Sequence, residues 1–204
     1  LAALAAGRAV LETGGSAIDA VEAAIRSLED DPTFNCGYGS ARNEVGEVEM
    51  CAAMMEGGCL NVGGVSVIQG VRHPISVARA MLDEDTILIA GPGARAFAER
   101  KGLELCPPEA LRVEDRQKTA AHDTVGCIAL DRHGTLAVGT STGGLDCNPV
   151  GRVGDSPVPG CGFYADNGLG AVAVAGDGEH IARKILAARA IHAMSATGLE
   201  EAVA

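Results

Sequence analysis

Aromatic side chains are nearly absent from this chain: they make up 2% of it, with no Trp, two Tyr and three Phe. The core must therefore be built from Ala, Val, Leu, Ile and Met, packed closely around 28 glycines. Basic residues are also scarce, with 16 Lys and Arg against 27 Asp and Glu and a net charge of −11. Nucleic acids and anionic membranes are bound through basic patches, so neither is expected as a partner. No apolar run approaches transmembrane length. The seven cysteines are odd in number and form no Cys-x-x-Cys pair, which argues against a zinc site or a disulfide framework. Reduced cysteines acting as small hydrophobes fit a cytoplasmic protein.

What remains is a chain of 204 residues, the size of one domain with a substantial core. Residues 1–13 are Ala/Leu-rich and read as a helix stopped by Gly14-Gly15. Ser16 reads as the N-cap of a second helix reaching about Glu29, with Ala17, Ala20, Val21, Ala24 and Leu28 on its apolar face. Strands are predicted over 47–55 and 60–69, a helix from Pro74 to about Asp83, a short buried strand over 86–90, and a helix over 94–101. Residues 105–122 lack a period and read as an exposed linker, and 143–169, rich in Gly, Pro, Asp and Asn, as a long functional loop. A buried strand over 170–175 turns at Gly176-Asp177-Gly178 into a helix through about Met194, with Ile181, Ile185 and Ala188 on one face. Strands flanked by helices predict an α+β chain with helix–sheet–sheet–helix packing.

The densest signal lies between His122 and Asp155. Residues 124–131 are apolar at odd and even positions alike, which suits a strand buried on both faces. Arg132-His133-Gly134 reads as a three-residue hairpin loop with Gly in the left-handed region. Asp131 then faces Thr135, and stepping back places Thr124 opposite Thr142, unless a bulge shifts the register. Two hydroxyls meet at one end of the hairpin, beside the loop Gly151-Arg152-Val153-Gly154-Asp155 with its guanidinium and carboxylate.

Asp123-Thr124-Val125-Gly126, Thr140-Ser141-Thr142-Gly143-Gly144 and Gly151-Arg152-Val153-Gly154-Asp155-Ser156-Pro157 resemble, in order and spacing, the plant-type asparaginase / isoaspartyl peptidase family. These are N-terminal-nucleophile hydrolases related to glycosylasparaginase and threonine aspartase. The match extends to Phe34-Asn35-Cys36-Gly37-Tyr38-Gly39-Ser40 and Tyr164-Ala165-Asp166-Asn167. The resemblance implies a four-layer αββα sandwich, self-cleavage between Asp123 and Thr124 into an α part (1–123) and a β part (124–204), and a dimer of αβ units. It further implies that the chain is incomplete at both ends, beginning at Leu1 and stopping at Ala204 as another helix starts at Leu199.

A threonine hydroxyl is a weak nucleophile without an adjacent base. At a chain terminus its own α-amine can serve, since that group's free pKa is about 7.7–8.0. Thr124 is internal, so this chemistry requires the cut; by itself Asp-Thr reads as a strand start. Thr142 is expected to hydrogen-bond the Thr124 hydroxyl or amine. Arg152 can hold a substrate carboxylate bidentately and Asp155 its ammonium; taken alone they read as a surface ion pair.

By resemblance, Val153, Gly154, Ala175, Gly176, Asp177 and Gly178 complete the substrate site, Gly176 N–H serves as an oxyanion donor, and Asn35 lies near the nucleophile. The family also implies a sodium ion held by the carbonyls of Leu28, Glu29, Asp31, Phe34, Cys36 and Tyr38. No cofactor is expected for the chemistry. Two positions depart from the family pattern: Ala175 replaces a Thr whose hydroxyl is a second oxyanion donor, and Cys51 replaces an Asp. His122 precedes the cut and would be separated from the site by it, and the other histidines have no ligand spacing. The implied activity is release of L-aspartate from L-asparagine or β-aspartyl (isoaspartyl) dipeptides. The alternatives are glycosylasparaginase and a poorly active homologue serving as a binding subunit.

Overall fold

The computed structural model describes residues 2–113 and 124–198. Helix α1 (Ala2–Glu12) ends at Gly14, whose φ of +84° is one that L side chains rarely adopt. Helix α2 (Ala17–Glu29) begins at Ser16, whose hydroxyl accepts from Asp19 N and donates to the Asp19 carboxylate. The two helices approach so closely at Gly7 that a Cβ there would lie 3.1 Å from Ala20 O.

Strands β1 (Met50–Glu56) and β2 (Val62–Ile68) follow, then α3 (Pro74–Met81), β3 (Leu88–Ala90) and α4 (Gly91–Arg100). After these come β4 (Val125–Leu130), β5 (Leu136–Thr142), β6 (Phe163–Asp166), β7 (Gly170–Ala173), α5 (Gly178–Lys184) and α6 (Leu186–Thr197). Among the described residues the main sheet has the order β3-β2-β1-β5-β4, parallel at β2–β3 and antiparallel elsewhere, and β6-β7 forms a separate pair. The chain is thus mixed α+β.

Side chains on β1 alternate between two cores, as a strand's period of two requires. Met50, Ala52 and Met54 pack with residues of α2 and α3, such as Val21, Ile25 and Ile75. Ala53 and Met55 pack with Val138, Phe163 and Ala165 on the β6–β7 side. Helix α6 contacts β6 and β7 in turn.

The hairpin forms in the expected register. Asp131 N donates to Thr135 O, Gly134 sits at φ +82°, and Val125 pairs with Ser141 without a bulge, so the next step sets Thr124 opposite Thr142. Beyond Thr142, across β1, lies Cys51.

Five expectations fail, each for a tertiary reason. Strand β4 is not buried on both faces: Ile128 is 46% and Leu130 58% exposed. It is the outermost strand of its sheet, and Gly126 lies under β7, where a Cβ would meet that of Ala173. The strand over 86–90 is likewise an edge with Ile87 and Leu88 exposed. The 143–169 loop contains β6, whose partner β7 lies one turn beyond it. The last helix is broken at Ile185, in the left-handed region at φ +44° and exposed, so burial passes to Ala187 and Ile191. Finally, the start of the 105–122 linker is packed: Leu105 bridges to Val71 and Leu111 is buried. The remainder of that segment, His122, Asp123 and the helix expected from Leu199 lie outside the described residues.

Candidate active site

Successive residues at the end of β5 point to opposite faces of the sheet. Ser141 points toward α2 and donates to Glu29 Oε1 at 2.7 Å. Thr140 points the other way and donates to Ser156 O at 2.7 Å. Thr142 shares the face of Thr140, and its hydroxyl accepts from Gly144 N at 3.1 Å. On the neighbouring strand Thr124 Oγ1 lies 2.9 Å from Ser156 Oγ. Thr142 is therefore beside Thr124 by register, while the hydroxyl contact of Thr124 is to Ser156.

Thr124, Thr142, Gly144, Leu145, Arg152, Gly154, Asp155, Ser156, Gly176 and Gly178 line one narrow cleft of about 20 Å³, room for about one water molecule. Arg152 makes a two-point contact with Glu179, Nε to Oε1 at 2.9 Å and Nη2 to Oε2 at 2.8 Å. That contact holds the Glu179 carboxyl below the usual range. Asp155 is buried, and its Oδ2 has no hydrogen-bond partner among the described residues. Burial raises its pKa, while the Arg152 charge opposes the rise.

Other candidates stand behind or outside the cleft. Asn35 ties the 34–41 loop to the end of β5: its Nδ2 donates to Gly144 O at 2.7 Å and its Oδ1 accepts from Ala41 N at 2.8 Å. Gly143 permits that approach, since a Cβ there would lie 2.6 Å from Ser40 Cα. Val153 and Ala175 are exposed, and Asp177 N-caps α5 by accepting from His180 N. Burial pushes the Cys51 thiol up, so it is a poor nucleophile beside Thr142.

Beneath the site Glu29 is fully buried, and burial raises its carboxyl to about 8 against the hydrogen bonds from Ser141 Oγ and Ile75 N. In the loop that follows, Gly37 and Gly39 are pressed against the Glu29 and Phe34 carbonyl oxygens, where no Cβ would fit. The Asp31, Phe34 and Cys36 carbonyls each accept one N–H, which leaves each a second lone pair. No group of His, Cys, Asp or Glu among the described residues could hold a metal.

A family model for asparaginase matches residues 1–122 and 109–204. The chain belongs to the asparaginase family. This asparaginase-family chain is 42% identical to an isoaspartyl peptidase/L-asparaginase of Mus musculus over 214 residues, covering 96% of the chain and 66% of the relative. It is 42% identical to the protein of that name from Bos taurus (99% and 71%) and 43% to that from Homo sapiens (89% and 64%). It thus spans about two thirds of the length of the curated relatives it matches. No described helix is long and apolar enough to cross a membrane.

The sequence alone does not single out Ser156, Glu179 or the side chain of Glu29. Ser156 sits inside the Gly-Arg-Val-Gly-Asp-Ser-Pro motif, which is the signal it carries. Glu179 reads simply as an acid in a helix first turn, and Glu29 as the polar end of α2.

Proposed function

We propose that the protein to which this chain belongs is an amidohydrolase that releases L-aspartate from L-asparagine and from β-aspartyl dipeptides. The observation carrying this reading is the convergence of the Thr124 hydroxyl, Arg152 and Asp155 on one cleft in an asparaginase-family chain. The names of its relatives support the substrate class.

In the proposed sequence, Thr124 Oγ attacks the Asp123 carbonyl and the peptide becomes an ester. Water hydrolyses that ester, leaving an Asp123 carboxylate and a free Thr124 α-amine. The amine then takes the hydroxyl proton as Oγ attacks the substrate's β-carbonyl, with Gly176 N–H facing the developing oxyanion. The amine or ammonia departs with the proton, and water releases aspartate. Arg152 would hold the substrate carboxylate and Asp155 its ammonium, with Gly154 and Gly178 leaving the space between them. Thr142 and Ser156 would orient the nucleophile, and Asn35 would hold the strand end in place.

The contacts of α2–α4 with the main sheet and of α6 with β6–β7 support a four-layer αββα sandwich, cut into an α part and a β part. The 28–38 loop would hold a structural sodium ion through main-chain carbonyls, with no cofactor in the chemistry. A dimer of αβ units and a cytoplasmic location are proposed on resemblance alone. Ala175 favours slow turnover over loss of function, because Gly176 lines the cleft whether or not a hydroxyl precedes it.

Intact mass of the full-length protein, followed by an assay for L-aspartate release, tests the reading. Two chains with the second beginning at Thr124, and aspartate released from either substrate, are expected. A protein that stays uncut and releases none is a non-catalytic homologue.

A further inference from the structure

The guanidinium of Arg152 has two edges that a carboxylate can grip, and Glu179 takes one of them. Its oxygens meet Nε and Nη2, the side-on edge. Guanidinium carries five N–H donors in a rigid plane, so this pairing leaves the end-on fork of Nη1 and Nη2. Three glycines border the terminal nitrogens of that fork. A Cβ on Gly154 would lie 3.0 Å from Nη1, 3.1 Å from Nη2 and 3.2 Å from Cζ, obliquely over the guanidinium face, one on Gly178 3.0 Å from Nη2, and one on Gly144 3.8 Å from Nη1. The Gly178 position is also 2.7 Å from Asp155 Oδ1, so it lies between the cation and the acid.

We infer that Glu179 is a positioning residue that locks the Arg152 plane side-on, so that the end-on fork meets a substrate α-carboxylate already aligned. The inference rests on the aspartyl-substrate reading above and adds a residue to it. The physical reason is entropy. A free Arg side chain loses rotamer freedom when it grips a ligand, whereas the Glu179 contact removes that freedom before substrate arrives. Glu179 is 45% exposed and Arg152 14%. Water therefore screens the charge of Glu179 toward an incoming carboxylate, while its short directional contacts persist.

The rival arrangement is competition, in which Glu179 occupies the guanidinium and a substrate carboxylate must displace it. The two predict opposite signs. L-Aspartate binding by calorimetry and steady-state kinetics on the matured full-length protein would compare the parent, Glu179→Gln and Glu179→Ala. Positioning predicts that the Ala variant binds L-aspartate about tenfold more weakly, with the loss in KM rather than kcat. The Gln variant, which keeps one side-on acceptor, should recover part of it.

Tighter binding by the Ala variant would make Glu179 a competitor. Unchanged binding would make it a surface ion pair. If Arg152→Lys loses affinity while Glu179→Ala does not, the positioning role fails and the substrate reading stands. If the parent binds no L-aspartate, both fail.

Discussion

The two ends of the β4–β5 hairpin carry similar chemistry and put it to different use. At the turn end a cavity of about 400 Å³ is lined by Ser16, Glu56, Arg79, Asp83 and Asp131 among others. Its charged groups are largely engaged with one another or with the backbone. Asp131 accepts from the backbone N–H of Ala17, His133 and Thr135, and Arg79 pairs with Asp19 and Glu22. At the strand-start end the cleft is about twenty times smaller, yet it holds a buried Asp155 oxygen without a partner among the described residues and lies above the buried Glu29. A large, well-formed pocket is the usual site hypothesis. Here unfinished polar groups are the better guide, because a buried polar atom left unpaired costs stability and persists where a ligand can complete it.

The sharpest test of this contrast is at Thr124. Thr124→Ala should abolish self-cleavage, because no hydroxyl remains to attack, and intact mass should show a single chain. A fragment still beginning at residue 124 would assign the cut to an external protease. Arg152→Lys should come next. Losing the planar two-point contact typically costs about 1.5–3 kcal/mol, read as weaker L-aspartate binding with self-cleavage largely spared. The matched change at the other end, Arg79→Lys, should leave substrate affinity alone and cost at most about 1 kcal/mol of stability, as partly exposed ion pairs do. Equal effects of the two lysine variants on KM would erase the distinction between the ends.

Glu29 provides a test independent of activity. Its carboxyl titrates at 4.5 when unperturbed and at about 8 when buried in the fold. Between those values the native state binds the extra proton, so stability should fall as pH rises, by at most about 1.4 kcal/mol per pH unit. Glu29→Gln should flatten that slope in melting curves taken from pH 5 to 8.5. A slope identical to the parent's would mean that Glu29 is already ionised in the fold. The smallest effect is expected from Ala175→Thr. The alanine is exposed and outside the cleft lining, so the gain in turnover should stay well below the roughly 10²–10³ associated with a full oxyanion donor. Steady-state kinetics on matured protein would measure it, and a rise of that full size would turn the residue 175 side chain toward the oxyanion.

Local rules carried the reading far along the backbone. The Ser16 cap, the Gly14 stop, Pro74 at a helix start and the hairpin register through Gly134 all depend on residues within a few positions of one another, where steric limits on φ and ψ act directly. The motif order around Thr124, Thr142 and Arg152 was equally plain, since it is a property of the chain as written. The burial of β4 is not legible in the chain, because an apolar strand reads alike at the centre of a sheet and at its edge. The break at Ile185 leaves no local mark, because a helix-period pattern runs through it.

The α+β class follows from residue patterning, whereas Thr124 as a candidate nucleophile and Arg152 and Asp155 as a candidate clamp follow from motifs that resemble a known family. The partners of those groups do not. Ser141 meets Glu29 across 112 positions, Thr124 meets Ser156 across 32, and Arg152 meets Glu179 across 27. Each contact exists because separate elements pack side by side, and packing is decided by the burial of whole faces rather than by any local preference. The raised carboxyl of Glu29, the unpartnered oxygen of Asp155 and the side-on grip on Arg152 all belong to that second level. There, desolvation and neighbouring charge act on a side chain only once the fold has brought them to it.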